Sequence, residues 1–395
     1  MDVLFLGHIT DPILPIPPVR GGAPQTLLHD LATGLQDLQI GVVSPWQDSL
    51  GKPPEVERAD LAYFHLPVED RRVRMRERIP DALRRFVPDL REMSYLKRAA
   101  KVIQQQRPKL VVVNNRLHYA SFLRGVGVRQ PIIVWQHNCL PLGYLRRHKE
   151  SVTAVVAVSK HLLCAARFYL VGEPLEGTFV HNGVDTVFWS PQAPDSSSRH
   201  LAPRLLCVGR LTPHKGQHVV IQAMPIILRS HKDAKLVIVG ASGHHHQEGS
   251  TGTSSYEKQL RFLAARACPS NATFMGNLRP DAVLSESRKA SLGLMPSVGT
   301  EIEGHPMTVL EGMACGLPMV CNRVPGVSET ISHRANGILV DVPFDPEEWA
   351  ARILELLNDG DLRARLGHNA RQTVLERFTT DRMVKDFRSY IEKFL

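Results

Sequence analysis

The stretch RLLCVGRLTPHKGQHVVIQAM, residues 204–224, begins with a short apolar run and continues, after a polar turn, into a segment of helical length. A continuous apolar run of this length is typical of a strand that is buried on both faces of a parallel sheet. The stretch therefore predicts one strand–loop–helix unit of an α/β fold.

Further apolar runs of the same kind are spread along the chain, separated by amphipathic stretches. In chain order they are DVLFLG, IGVVS, LVVVNN, PIIVWQHN, AVVAVS, GTFVHNG, KLVIVG, ATFMGN, SLGLMPS, PMVCNR and GILVD. Such alternation indicates parallel sheets covered by helices on both faces. Because the series runs twice, the predicted fold class is α/β with two doubly wound, Rossmann-like domains.

The boundary between the two series is predicted near residues 190–203, where the polar segment QAPDSSSRHLAP follows the first series. A chain of 395 residues is too long for one core and suits two domains. We expect an N-terminal domain over residues 1–190, a linker over 191–203 and a C-terminal domain over 204–378. Residues 379–395 are predicted to form a helix that returns to the N-terminal domain.

The chain carries 48 lysines and arginines against 39 aspartates and glutamates, a formal net charge of +9. This balance favours anionic partners such as nucleotides, phospholipid headgroups or nucleic acid. The six cysteines form no CxxC pair, so neither a zinc knuckle nor a redox motif is supported. No apolar segment approaches the roughly 20 residues that span a bilayer, and we expect a cytoplasmic protein.

Residues 71–107 form the most basic segment, in which cations are interleaved with apolar residues at helical spacing. Two interpretations remain open: a solvated helix face, or peripheral docking to an anionic membrane or acceptor. No nucleic-acid-binding motif accompanies the segment, and nucleic acid is not an expected partner.

Each predicted domain carries a loop that suits a phosphate group. In the first domain, Gly21 and Gly22 lie at the start of a predicted helix, where free amides attract anions. In the second domain, Arg210 and Lys215 follow a strand, and two cations at the mouth of a parallel sheet can neutralise a diphosphate. Neither loop matches a GxGxxG fingerprint or a Walker P-loop, so dinucleotide binding and ATP hydrolysis lose support.

Two glutamates are eight positions apart in SVGTEIEGHPMTVLEGMACGLP, residues 297–318. Glu303 lies in a predicted loop, and Glu311 lies about one turn inside a helix predicted to start near Pro306. The free amides of residues 305–309 would form a second anion site, and carboxylates can accept hydrogen bonds from paired hydroxyls. The competing interpretation is the acid–base pair of a glycosidase, but those carboxylates flank a glycosidic bond from opposing positions, which this spacing does not favour.

These elements together resemble the retaining GT-B glycosyltransferases of the family 4 type. The matching motifs are the Arg210…Lys215 pair, the two glutamates followed by EGMACGLP, and the segments HNGVDTVFWSP, GGAPQTLLHDLA and AVSKHL. The resemblance covers essentially the whole chain. LPIPPVRGGAPQ, NNRLHY and WQHNCL are most similar to the spore-coat-polysaccharide type.

The resemblance implies a role for each matched position. Arg210 and Lys215 hold the donor diphosphate, Glu303 contacts the sugar hydroxyls, and Glu311 contacts the ribose. His137 lines the reaction centre and, with Arg210, Lys215 and Glu303, completes the expected catalytic set. The expected donor-binding positions are Gly21, Gly22, Arg210, Lys215, Asn277, Leu278, Glu303, His305, Met307, Thr308, Val309 and Glu311.

The chain departs from this family after Glu303, where Gly304-His305-Pro306 replaces the usual Gly-Phe-Gly. His305 is expected to influence sugar selectivity, and Pro306 removes one backbone donor.

The resemblance implies transfer, with retention, from a nucleotide diphosphate sugar, most simply a UDP sugar. The acceptor would be a carbohydrate, lipid-linked or small-molecule hydroxyl. No metal or other cofactor is expected, because two cations and a helix end already serve the diphosphate. Asp359-Gly360-Asp361, which fits a metal-binding DxD pattern, is predicted to be a helix-capping turn. GHHHQEGSTGTSS is interpreted as a polar loop. A sugar-nucleotide epimerase and a non-catalytic basic adaptor of membranes or polyanions remain as alternatives.

Overall fold

The computed structural model describes residues 1–10, 13–18, 22–53, 58–68, 90–140, 142–169, 175–192, 202–242, 255–298 and 303–395. The chain divides into two compact units. The first unit comprises Met1–His181 together with Met383–Leu395, and the second unit comprises Asn182–Arg382. None of the helices in the described part of the chain has the length and apolar character that crossing a bilayer requires.

The first unit contains a seven-stranded parallel sheet in the order β3-β2-β1-β4-β5-β6-β7. Its strands are β1 (Val3–Leu6), β2 (Ile40–Trp46), β3 (Leu61–Pro67), β4 (Leu110–Asn114), β5 (Ile132–Gln136), β6 (Ala154–Ala157) and β7 (Gly177–Phe179). The helices that precede the second unit are α1 (Ala23–Gly34), α2 (Leu90–Gln106), α3 (Leu117–Gly125), α4 (Leu142–His148) and α5 (Lys160–Tyr169).

The second unit contains a six-stranded parallel sheet in the order β10-β9-β8-β11-β12-β13. Its strands are β8 (Arg204–Val208), β9 (Lys235–Val239), β10 (Ala272–Gly276), β11 (Leu292–Met295), β12 (Met319–Asn322) and β13 (Ile338–Val340). The helices from here onward are α6 (Gln217–Ser230), α7 (Ser255–Ala267), α8 (Pro280–Lys289), α9 (Met307–Ala314), α10 (Pro325–Ser328), α11 (Pro346–Asn358), α12 (Gly360–Arg377) and α13 (Thr380–Ile391).

Alternate residues of each central strand belong to cores on opposite faces of the sheet. In β8, Leu205 and Cys207 pack into one buried cluster, whereas Leu206 packs into another. This arrangement follows from the two-residue period of a strand and explains why both sets of side chains are apolar. The predicted α/β class is confirmed, and each of the twelve apolar runs contains a strand.

The sequence prediction missed β3, which is one of the two edge strands of the first sheet. Its residues LAYFHLP are mostly half-buried or exposed, so they lack the continuous apolar character of the central strands.

The structure places the start of the second unit earlier than the predicted boundary at residues 190–203. Arg371 on α12 donates from Nη1 to the carbonyl of Trp189 at 2.9 Å and from Nη2 to that of Thr186 at 3.0 Å. Arg288 likewise donates to the carbonyl of Ser190 at 2.8 Å. These bonds hold residues 186–190 on the second unit, although these residues follow the last strand of the first unit by only a few positions.

Residues 383–395, at the other end of the chain, pack within the first unit. The ring of Phe387 is completely buried, with its centroid 6.2 Å from that of Phe5 on β1 and 5.5 Å from that of Trp135 on β5. The last helix thus covers the face of the first sheet that β1 and β5 present to it.

Candidate active site

The carboxyl edge of the second sheet is organised by three loops that follow adjacent strands. The loops after β8 and β11 are joined by a hydrogen bond from the Val298 amide to the His214 carbonyl at 2.7 Å. Asn322, the last residue of β12, donates from Nδ2 to the carbonyls of Pro296 at 2.9 Å and Ser297 at 3.1 Å. This edge is where doubly wound sheets bind their ligands.

Gly216 fixes the position of the loop after β8. It has a φ of 68°, and a Cβ at this residue would lie 2.0 Å from the carbonyl oxygen of Pro296. Only glycine combines that conformation with that contact. The 3₁₀ turn Pro213–Lys215 therefore ends against the loop after β11, and α6 begins at the next residue.

Lys215 and Glu303 form an ion pair, in which Lys215 Nζ donates to Glu303 Oε1. Their side chains are 20% and 8% exposed, so the pair is largely screened from water. The sequence had assigned the two residues to different parts of one donor, and the structure brings them into contact across 88 positions of the chain. A cation and a carboxylate are thus held together at the ligand-binding edge.

Arg210 supplies an exposed cation to the same loop. Its carbonyl accepts from Gln217 Nε2 at 2.8 Å, which anchors its backbone to the start of α6. Nearby His214 was not anticipated from the sequence. Burial, and then the charges of Lys215 and Arg210, lower the pKa of His214, so this imidazole is neutral at pH 7.

Helix α9 begins at Met307, with Pro306 as its N-cap residue. The amide of Val309 donates to the Pro306 carbonyl at 3.2 Å. The prediction that Val309 offers a free amide is therefore wrong, because the first turn of the helix already uses that group. The amides of Met307 and Thr308 are in the first turn, which has no carbonyl four residues earlier in the helix, and their role as phosphate donors stays a prediction.

Glu311 lies one turn inside α9 and is only partly accessible to solvent. Burial raises the pKa of its carboxyl group to about 7. The carboxyl group is therefore poised between its neutral and charged forms near physiological pH, and hydroxyl groups that hydrogen bond to the carboxylate would favour the charged form.

The imidazole of His305 points into the second unit. It is 3% exposed, its Nδ1 accepts from the Asn182 amide at 3.2 Å, and its Nε2 lies 2.9 Å from Thr330 Oγ1. Both ring nitrogens are thus engaged with the protein. The predicted contact of this side chain with the donor sugar does not agree with that orientation.

Asn277 and Leu278 follow β10, which is one of the two edge strands of the second sheet. The carbonyl of Gly276 accepts from the Gly240 amide at 2.7 Å, which links this loop to the end of β9. Leu278 packs against the apolar cluster below the sheet edge. The segment thus shares the carboxyl edge with Arg210, two strands away.

A second group of polar residues lies at the carboxyl edge of the first sheet. His8 and His137 follow β1 and β5, and they are 6% and 7% exposed. Burial lowers the pKa of each imidazole to about 3, so both are neutral. His137 is oriented by its backbone amide, which donates to Asn115 Oδ1 at 3.0 Å.

Several buried atoms at this edge have no hydrogen-bond partner within the structure: His8 Nδ1, Asn114 Oδ1, Gln136 Oε1 and His137 Nε2. Buried polar groups are usually paired, so such a cluster suits a ligand rich in hydroxyls. The sequence prediction named only His137. The common feature of the others is their place at the ends of apolar strands, which strand boundaries could have revealed.

Gly22 is the N-cap of α1 and has a φ of 115°. Residues with a side chain rarely adopt this conformation, so the backbone favours glycine at this position. Gly21, predicted to act with Gly22, lies outside the described residues.

The DxD-like turn has the capping role predicted for it. Asp359 Oδ1 accepts from the Leu362 amide at 2.8 Å at the start of α12. The histidine-rich loop, residues 243–254, and residues 71–89 of the basic segment lie outside the described residues. Membrane docking through the basic segment stays a prediction.

Gly326 on α10 provides a test of how the Glu303 loop is held. A Cβ at Gly326 would lie 2.2 Å from the Gly304 carbonyl oxygen and 2.3 Å from that of Glu303. We expect Gly326→Ala to lower the free energy of unfolding by about 1–3 kcal/mol, as overpacking does, and to weaken nucleotide binding. Urea unfolding would measure the change in the free energy of unfolding. Gly360→Ala is the matched control, since its Cβ would have only Arg363 Nη2 at 4.0 Å, and equal effects of the two changes would contradict the prediction.

The two doubly wound units, each with polar groups at the carboxyl edge of its sheet, define a GT-B type of fold. Residues 193–373 match the Glycosyl transferases group 1 family. Residues 193–373 therefore form a glycosyltransferase group 1 domain, as the sequence motifs in this part of the chain predicted.

Individual relatives extend this comparison. The GDP-mannose-dependent monoacylated alpha-(1-6)-phosphatidylinositol monomannoside mannosyltransferase of Corynebacterium glutamicum is 29% identical over 244 residues, which are 58% of this chain and 59% of that protein. Spore coat protein SA of Bacillus subtilis is 25% identical over 401 residues, covering 96% of this chain and 97% of that protein. The structure of Anabaena Alr3699/HepE in complex with UDP is 20% identical, covers 100% of both chains and has a TM-score of 0.73.

Proposed function

We propose that the chain transfers a sugar from a nucleotide diphosphate donor, a UDP sugar in the first instance, to an acceptor hydroxyl. The transfer retains the anomeric configuration and needs no bound metal. The observation that carries this proposal is the Lys215–Glu303 pair, set beside Arg210 at the carboxyl edge of the second sheet.

The donor is matched group by group by the second unit. Its diphosphate carries negative charge, which Arg210, Lys215 and the first amides of α9 can neutralise without a metal ion. Its hydroxyls require acceptors of hydrogen bonds, which Glu303 and Glu311 provide. A glycosidase needs two carboxyl groups on either side of the bond it cleaves, and the engagement of Glu303 with Lys215 favours donor binding instead.

In the proposed step the acceptor hydroxyl attacks the anomeric carbon on the face from which the diphosphate departs. The bond between that carbon and the phosphate oxygen breaks, the bond to the acceptor oxygen forms, and the acceptor proton passes to the departing diphosphate. Negative charge grows on the leaving oxygen, where Lys215, Arg210 and the amides of α9 stabilise it. Glu303 orients the sugar through its hydroxyls.

The first unit is proposed to bind the acceptor. The neutral imidazoles of His8 and His137 can each donate to or accept from a hydroxyl, and the unpaired amide oxygens of Asn114 and Gln136 lie at the ends of β4 and β5. A carbohydrate or other polyol would pair these groups, whereas an apolar molecule would leave them unsatisfied.

Incubation with UDP and GDP sugars tests the proposal directly, because the two nucleotides named by the relatives differ in their base. We expect release of nucleoside diphosphate that depends on an acceptor, persists in EDTA and gives a product with the donor's anomeric configuration by NMR. Isomerised or hydrolysed donor without any acceptor dependence would favour the epimerase. No consumption of any donor would favour a non-catalytic adaptor.

The acceptor-side assignment has its own prediction. We expect His8→Leu to raise the acceptor KM by about tenfold, since one hydrogen bond to a hydroxyl is lost, and to leave UDP affinity unchanged. Initial rates over a range of acceptor concentrations measure the first quantity and calorimetry the second. His231→Leu is the matched control, since His231 follows the C-terminal end of α6 and pairs with Asn358 Oδ1 at 2.9 Å. A His8 variant with an unaltered acceptor KM would remove His8 from the site.

A further inference from the structure

We propose that His305 is a positioning residue. Its neutral imidazole ties the segment that joins Glu303 to helix α9 to Asn182 and Thr330, and thereby sets the geometry of the donor site. This inference rests on the proposed function, because it concerns the same donor.

The hydrogen bonds around the ring determine its protonation. The Asn182 amide can only donate, so Nδ1 of His305, 3.2 Å away, must carry no hydrogen. In the neutral ring Nε2 then carries the hydrogen and donates to Thr330 Oγ1 at 2.9 Å. One imidazole thus accepts from one element and donates to another, which a phenylalanine ring in the same place cannot do.

The contact with Asn182 is reciprocal. Asn182 Nδ2 donates to the backbone carbonyl of His305 at 2.7 Å, while the amide of Asn182 donates to the ring. Asn182 is 4% exposed, so loss of the ring nitrogen would take a hydrogen-bond acceptor away from a buried amide. Two antiparallel bonds of this kind fix both the position and the orientation of residue 305.

Thr330 is itself held in place. Its amide donates to the Val327 carbonyl at 2.9 Å, and its carbonyl accepts from Asn336 Nδ2 at 3.1 Å. Asn336 Nδ2 also donates to Thr373 Oγ1 on α12 at 3.0 Å. The hydroxyl that receives the His305 hydrogen is therefore anchored to the body of the second unit.

His305 stands midway between the two elements that the donor needs. Glu303 lies two residues before it, and α9 begins at Met307, two residues after it. The carbonyls of Glu303 and Gly304 are packed so tightly on Gly326 that no methyl group fits between them. A displacement of His305 is therefore passed to the Glu303 carboxylate and to the first amides of α9 together.

Three substitutions separate this role from simple packing. His305→Phe keeps the ring but loses both bonds, His305→Asn keeps an acceptor for the Asn182 amide, and Thr330→Val removes only the hydroxyl. We expect His305→Phe to raise the UDP dissociation constant and the donor KM by about tenfold with kcat within about threefold. His305→Asn and Thr330→Val should each weaken UDP binding by about threefold.

The measurements are UDP calorimetry, donor KM and kcat, and thermal unfolding of each variant. If His305→Phe does not fold, the Asn and Val variants carry the test. A lower melting temperature with an unchanged UDP dissociation constant would overturn the positioning role. A parent protein that binds neither UDP nor GDP would overturn the proposed function and this inference together, whereas normal parental binding with an unaffected His305→Phe would overturn the inference alone.

Discussion

Replacement of Lys215 by alanine is expected to lower kcat/KM for the donor by about 10²–10³-fold, as removal of one charge-stabilising donor from an active site commonly does. Lys215 Nζ is largely buried against Glu303, so water cannot fully replace it at the leaving diphosphate. Because charge grows on the leaving oxygen during the reaction, we expect kcat to fall more than donor affinity.

The same substitution leaves the Glu303 carboxylate without its partner. Breaking a fully buried ion pair costs about 3–5 kcal/mol, and since Lys215 is 20% exposed we expect a smaller loss, about 2 kcal/mol of unfolding free energy. The double variant Lys215→Ala/Glu303→Gln should regain stability but not activity. Steady-state kinetics and urea unfolding measure the two effects.

Lys235→Ala is a matched control for this prediction. Lys235 begins β9, at the opposite edge of the same sheet, and donates to the Ser270 carbonyl at 2.9 Å. This variant should turn over donor at the parental rate. Parental activity in Lys215→Ala would show that the donor site is elsewhere.

Glu311→Gln is expected to change how stability depends on pH. Burial raises the pKa of Glu311 from 4.5 to about 7, so folding favours the protonated form. Protonated Glu311 therefore contributes its full stabilisation of the folded parent below pH 4.5, and this stabilisation is lost as the pH rises through 7. Glutamine does not titrate. Between pH 4.5 and 8 the unfolding free energy of the variant, relative to that of the parent, should therefore rise by about 3 kcal/mol.

Urea unfolding of both proteins at pH 4.5, 6, 7 and 8 would measure this shift. Glu376→Gln, on an exposed position of α12, is the control and should leave the pH dependence unchanged. A parallel pH dependence of the parent and Glu311→Gln would contradict the prediction. Nucleotide binding should weaken in Glu311→Gln above pH 7, where the parent presents a full carboxylate to the ribose.

The place of the proposed donor site could be predicted because the apolar runs mark the strands, and parallel strands end at one common edge of a sheet. Lys215 follows β8 and Glu303 follows β11, and these strands are neighbours in one parallel sheet. Their carboxyl ends therefore lie at the same edge, so motifs almost ninety residues apart could be assigned to one site. Strand β3 escaped prediction because an edge strand need not be apolar on both faces.

The directions of individual side chains could not be predicted in the same way. The His305 ring turns inward because Asn182 and Thr330 offer partners there, and both are distant in sequence. The Val309 amide is not free because it donates to the Pro306 carbonyl in the first helical turn. A strand boundary can single out His8, but its place at the same edge as His137 follows only from the sheet order β1-β4-β5, which is a property of the folded sheet.

The return of residues 383–395 to the first unit has a consequence for the order of events during synthesis. The second unit is a single continuous segment, Asn182–Arg382. The face of the first sheet that carries Phe5 and Trp135, in contrast, remains without Phe387 until residues 383–395 have left the ribosome. The first unit is thus completed only after the second unit has been translated, and until then the nascent chain exposes an apolar surface that chaperones can recognise.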